Sequence, residues 1–197
     1  MRNKVICFIL LFIIWTLLVL TNNLTWFDNA IYSFLISFKN TNLTNFMIFI
    51  TNLSGVKFMI IVSILSLSLL IWKRKECLYL IGSLGVGVTL NLILKNIFNR
   101  ERPINLRLIE ENGFSYPSGH AMASLAFYGA IIVIVNNLNI DKKYKYLINI
   151  FLGLLIFLIG LSRIYLGVHH PSDIIGGWLI IIGLLFVLDY IIKKENK

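Results

Sequence analysis

Cysteine and charge are both scarce in this sequence. Only two of its 197 residues are cysteines, Cys7 and Cys77. That is too few for a disulfide framework or a cysteine-built metal centre. Charged residues make up 14% of the chain and hydrophobic ones 58%. So apolar a composition excludes an ordinary water-soluble domain, which could not bury that much hydrocarbon. No internal repeat and no low-complexity linker divides the chain, so one domain covering 1–197 is expected.

What the sequence does have is a series of apolar runs approaching the ~20 residues that cross a bilayer as a helix. Residues 5–20 follow a short basic start. No small-residue cleavage site comes after them, so an uncleaved first span is expected. Residues 28–38 set Ile31, Phe34, Leu35 and Phe38 at helical spacing, with Asn29, Ser33 and Ser37 between them. That pattern predicts an amphipathic helix lying in the interface beside Trp26. Residues 41–54 read as another short surface helix. Further spans are expected at 55–72, 78–94, 120–135, 146–166 and 174–192. In the third span, Gly82, Ser83, Gly85 and Gly87 offer a small face for close helix packing. The predicted fold class is all-α, an integral membrane bundle of six transmembrane helices with short interfacial helices near the N-terminus.

The net charge of +9 would suit a nucleic-acid partner, but its distribution argues otherwise. Six spans put both termini on one side. With that side cytoplasmic, the inside holds Arg2, Lys4, Lys73, Arg74, Lys75, Lys142, Lys143, Lys145, Lys193, Lys194 and Lys197, eleven of the eighteen basic residues. This is the bias that orients membrane proteins. The expected location is therefore the cell membrane, multi-pass, with both termini cytoplasmic. The bilayer, not nucleic acid, is the partner that the charge implies. Both cysteines then lie toward the reducing side.

All three histidines and all three prolines fall in three polar stretches, 95–103, 117–120 and 162–173. The same stretches hold Lys95, Arg102 and Arg163. Cations converging beside imidazoles suit a phosphate group, since guanidinium presents a planar fork of donors. Pro117-Ser118-Gly119-His120 reads as a helix start. Ser118 would be the N-cap, Gly119 would admit close backbone approach, and the free N–H groups would favour an anion. Pro171 suits the first position of the last helix, placing Asp173 in its first turn. From there a carboxylate can fix the tautomer of a neighbouring imidazole. Geometry on this scale fits His169 and His170 equally. Three histidines could also ligate zinc, but the surrounding cations oppose it, and neither a metal nor a cofactor is expected. A transporter would carry ionisable groups inside its spans. These spans hold almost none, with Asn91 and Asn149 the main polar exceptions and Asp189 near an end.

Taken in order, Lys95 with Arg102-Pro103, then Pro117-Ser-Gly-His120, then Ser162-Arg163 with His169 and Asp173, resemble the three-part signature of the type-2 phosphatidic acid phosphatase superfamily. Every signature position is matched, and the likeness runs from about residue 55 to the end. The resemblance implies a metal-independent lipid phosphatase with a six-helix core. Residues 55–197 would form its catalytic core, and 1–54 would supply the first span and interfacial helices. It implies His169 as the nucleophile that becomes a phosphohistidine, Asp173 as its orienting partner, and His120 as the acid and then the base. Lys95, Arg102, Ser118, Gly119 and Arg163 would cradle the phosphate. The layout is similar to that of the small bacterial undecaprenyl pyrophosphate and phosphatidylglycerophosphate phosphatases. The first expectation is undecaprenyl pyrophosphate hydrolysis at the outer face. Phosphatidylglycerophosphate or phosphatidic acid hydrolysis, or transfer to another lipid, is the alternative.

Overall fold

The structure is a computed structural model describing residues 2–104 and 106–194. Four basic residues assigned above to the inner side fall outside it, Lys197 altogether and Arg2, Lys193 and Lys194 in their side chains. The described residues form eight helices and no strand: α1 (Arg2–Leu20), α2 (Thr25–Ile36), α3 (Thr41–Asn52), α4 (Val56–Leu69), α5 (Arg74–Phe98), α6 (Gly119–Asn137), α7 (Lys142–Tyr165) and α8 (Pro171–Lys194). In lipid every backbone group must be satisfied within its own segment, which leaves helices as the solution for these runs. No proline interrupts one: Pro103 and Pro117 lie in the loop between α5 and α6, and Pro171 opens α8.

Five helices, α1, α5, α6, α7 and α8, are long and apolar enough to cross a membrane. The second crossing differs from the sequence expectation. At 14 residues, α4 is about 21 Å long, short of the ~30 Å hydrocarbon layer. It does not stand alone, because α3 and α4 qualify together as one span bent by 47°. The break falls at residues 53–55. There Tyr128 of α6 donates its hydroxyl to Leu53 O at 2.7 Å. Nor is α3 a plain surface helix: Met47, Ile50 and Thr51 are buried, and it packs along α7.

Helix α6 sits at the centre, against α5, α7 and α8, while α1 lies along α8. The small face of α5 is partly realised. A Cβ on Gly87 would lie 3.1 Å from Ile181 and 3.3 Å from Ala126, so α5, α6 and α8 close together there, whereas Gly85 has nothing within 4 Å. A helix forms in the expected region but starts three residues earlier and ends sooner, α2 stopping at Ile36 so that Phe38 lies beyond it. Its residues Ile31, Tyr32 and Leu35 pack toward Ala121, Ile164 and Ile174, while Phe34 and Phe38 remain exposed. One end of the bundle gathers the C-termini of α5 and α7, the N-termini of α6 and α8, and the α5–α6 loop. Asn99 ends α5 in the left-handed conformation, with its N–H on Lys95 O at 3.0 Å.

Candidate active site

Lys95 lies in the last turn of α5, and its Nζ donates to Phe114 O at 2.8 Å. Arg102 follows in the loop, 7% exposed. Its donors are spread over Gly113 O, Asn112 O and Val168 O at 2.8–2.9 Å, which ties the loop to the start of the histidine segment. Arg163, in the last turn of α7, is 1% exposed. It donates to Thr51 Oγ1 at 2.9 Å and makes a very short contact with Glu111. Gly167, at φ 73°, lets the chain leave α7. A Cβ there would lie 2.3 Å from Leu106 O.

Ser118 occupies the N-cap position of α6, but its side chain does not cap the helix. Among the described residues its Oγ is buried with no partner, as is Arg163 Nε. The turn is held from outside: Asn91 Nδ2 donates to Pro117 O at 2.9 Å, and Ser118 N donates to Asp173 O at 3.1 Å. Gly119 packs closely on α5, where a Cβ would sit 3.0 Å from Asn91 Oδ1. The first N–H groups of α6 are thus free to meet an anion.

His169 is 2% exposed. Its Nε2 lies 3.1 Å from Arg102 NH1. A guanidinium can only donate, so Nε2 is the accepting nitrogen and the proton belongs on Nδ1. Nδ1 faces Asp173 Oδ2 at 3.4 Å and Ser115 Oγ at 3.3 Å. Asp173 Oδ2 also accepts the His170 N–H at 2.8 Å and a very short bond from Ser115 Oγ. Burial pushes the His169 imidazole down to about 3; Asp173 pulls the other way, and Arg163 and Arg102 add to the fall. The ring is therefore neutral at physiological pH, with a lone pair at Nε2. Burial lowers His170 as well. His169, His120, Lys95, Gly119 and Glu111 line one cavity, which runs on past Ser54, Val56, Val88 and Leu92 between the α3–α4 break and α5.

All eight residues singled out from the sequence meet at this end of the bundle. Five others that the sequence reading left without a role join them: Asp28, Arg100, Glu111, Ser115 and Thr51. Asp28 carried one usable signal, as the only carboxylate before Glu76. Among the described residues no group of three or more His, Cys, Asp or Glu side chains could hold a metal ion.

A helical membrane bundle whose cavity is lined by a buried imidazole and Lys95, with Arg102 on that imidazole and Arg163 on the Glu111 that also lines it, defines a polytopic membrane phosphatase. Residues 76–197 match the PAP2 superfamily, and the chain belongs to that superfamily. It is 30% identical to phosphatidylglycerophosphatase B of Bacillus subtilis (strain 168), over 98% of this chain and 97% of that one. It is 31% identical to undecaprenyl-diphosphatase BcrC of the same organism, over 77% of each. Its fold is similar to the crystal structure of a transmembrane PAP2 type phosphatidylglycerolphosphate phosphatase from Bacillus subtilis, with TM-score 0.87, 29% identity, and coverage of 97% and 96%. The chain is a multi-pass membrane enzyme that acts on lipid phosphates.

Proposed function

We propose that this protein removes the terminal phosphate of a membrane lipid through a phosphohistidine on His169. One observation carries the reading: His169 Nε2 is held as an acceptor beside Arg102, Nδ1 faces Asp173, and the ring opens onto the cavity that His120 also lines. In the first step Nε2 bonds to phosphorus and the bond from phosphorus to the leaving oxygen breaks. His120 gives its proton to that oxygen. The imidazolium that forms keeps its Nδ1 proton toward Asp173, whose charge balances it. In the second step His120 takes a proton from water, the water oxygen bonds to phosphorus, and Nε2 departs with its electron pair. Lys95, Arg102, Arg163, Ser118 and the N–H of Gly119 hold the phosphoryl oxygens where charge builds up. Every group in this route belongs to the chain itself, so turnover is expected in EDTA.

Phosphatidylglycerophosphate is the favoured head group, supported by likeness along nearly the whole chain to a phosphatidylglycerophosphatase. Undecaprenyl pyrophosphate is the second reading, supported by the similarity to BcrC. Hydrolysis is favoured over transfer to another lipid. Both termini are assigned to the cytoplasm and the site to the outer face, from the excess of basic residues at the opposite ends of the helices. The test is phosphate release by purified protein in EDTA from phosphatidylglycerophosphate, undecaprenyl pyrophosphate and phosphatidic acid, with His169→Ala as control. Fastest release from the first, and none by the variant, is expected. Near-normal release by His169→Ala would refute the route, and preference for undecaprenyl pyrophosphate would select the second reading.

A further inference from the structure

Asp28 lies in α2, upstream of the residues that match the family. It is 2% exposed, and a carboxylate is costly to bury unless it is paired and hydrogen-bonded. Asp28 is both. Its Oδ1 accepts the Ser172 N–H at 2.8 Å, and its Oδ2 accepts Ser172 Oγ at 2.7 Å and Arg100 NH2 at 2.8 Å. Ser172 is the second residue of α8, so a carboxylate from another helix caps the turn that carries Asp173. Arg100 spans the rest of the gap. Its NH1 donates to Asp173 Oδ1 at 2.6 Å and to Ser172 Oγ at 2.8 Å. Trp15 Nε1 adds a bond to Ser172 O at 3.0 Å.

We propose that Asp28 is a positioning residue for the nucleophile, acting through Arg100 and the first turn of α8. This rests on His169 being that nucleophile. The guanidinium fork is shared between two carboxylates, one NH2 group on each. Asp173 divides its own oxygens in the same way, Oδ1 toward Arg100 and Oδ2 toward His169 Nδ1, Ser115 and the His170 N–H. Without Asp28 the fork has one carboxylate left and can engage both its oxygens. That draws Oδ2 off a His169 contact that is already long, at 3.4 Å. Misplacement on the scale of 1 Å can cost about 100-fold in rate. Of the cradle groups, Lys95, Arg102 and Arg163 bond to the loop, Val168 O, Thr51 and Glu111, and Ser118 meets this turn through its N–H on the backbone oxygen of Asp173, not on the carboxylate that Arg100 holds. Phosphate binding should therefore be spared. The lead-in helix is thus part of the catalytic unit and not only a membrane attachment.

The experiment measures kcat and KM for a short-chain phosphatidylglycerophosphate in detergent micelles with Asp28→Asn, Arg100→Gln and the double variant. Each single change should lower kcat by about 10- to 100-fold with KM within about twofold. The double variant should be no slower than the worse single one, because both changes break one chain of contacts. A purely structural role would spread the loss over yield and melting temperature and leave kcat of the folded fraction intact. Unchanged kcat in Asp28→Asn, a loss confined to KM, or losses that multiply in the double variant would overturn the proposal. If Asp28→Asn does not fold, Arg100→Lys decides: lysine keeps the charge but not the fork, so the same kcat loss is expected, and wild-type kcat would overturn it. Turnover retained by His169→Ala would remove the nucleophile and this proposal together. An inactive His169→Ala beside an unchanged Asp28→Asn removes the positioning role alone.

Discussion

Replacing Glu111 with glutamine should make the enzyme bind phosphate more tightly. The carboxylate of Glu111 sits on Arg163 and reaches within 3.9 Å of Arg102 NH2, two of the cations proposed to hold the substrate phosphate. Burial works to raise its pKa, but the charge and hydrogen bond of Arg163, then Arg102 and His169, outweigh that and hold it below the usual range. It is therefore ionised throughout the assay range. A phosphate entering the cradle must displace it and break a charged hydrogen bond that contributes about 1.5–3 kcal/mol. That free energy is subtracted from phosphate binding, and ~1.4 kcal/mol is a factor of ten. Glutamine fills the same space with a weaker hold on Arg163, so Ki for inorganic phosphate or orthovanadate should fall by about 10-fold or more. The assay is competitive inhibition of lipid phosphate hydrolysis at fixed pH and ionic strength. An unchanged or higher Ki would refute the reasoning and make Glu111 a support that keeps Arg163 aimed.

Other changes have equally defined outcomes. Asp173→Asn removes a charge 3.4 Å from His169 Nδ1, which at an effective dielectric near 20 is about 5 kcal/mol. With Arg100 offsetting part of it, kcat should fall ~1,000-fold in phosphate-release assays. Thr51→Val takes a bond from buried Arg163 and should cost about 1–3 kcal/mol, read as a lower melting temperature in detergent together with a raised KM. Gly167→Ala puts a methyl 2.3 Å from Leu106 O at a positive φ, so little folded protein should elute from size exclusion. The His169 imidazole protonates near 3 when folded and near 6.5 when unfolded. Only the unfolded chain takes up that proton as pH falls through this window. Its share of stability is present above about 6.5 and is lost at up to ~1.4 kcal/mol per pH unit below. Melting temperature should drop on acidification, less steeply in His169→Gln.

The helices and the membrane class were legible because the apolar runs are long and the prolines stand outside them. The three polar stretches were legible because charge is conspicuous in so apolar a chain, and alternating crossings bring their ends to one side. The bent pair α3–α4 was not. Residues 41–54 read as a surface helix, and only the partner of Thr51, an arginine 112 residues away, gives that residue an interior role. Asp28 hid for the same reason, since Arg100 and Ser172 lie 72 and 144 residues further on. Ser118 looked like a helix cap, but its hydroxyl makes no cap bond. Ser115 sits in a loop whose spacing carries no periodic signal, so nothing local announced its contacts with His169 and Asp173.

The most direct measurement is a rapid-quench experiment with lipid substrate radiolabelled in its terminal phosphate, followed by peptide mapping. Label should appear on the protein within one turnover. It should be stable in alkali and lost in acid, as a phosphoramidate is, and it should map to the peptide containing His169. Phosphate released with no protein-bound label at any time, or label carried by another residue, would contradict the proposal that His169 Nε2 bonds to phosphorus.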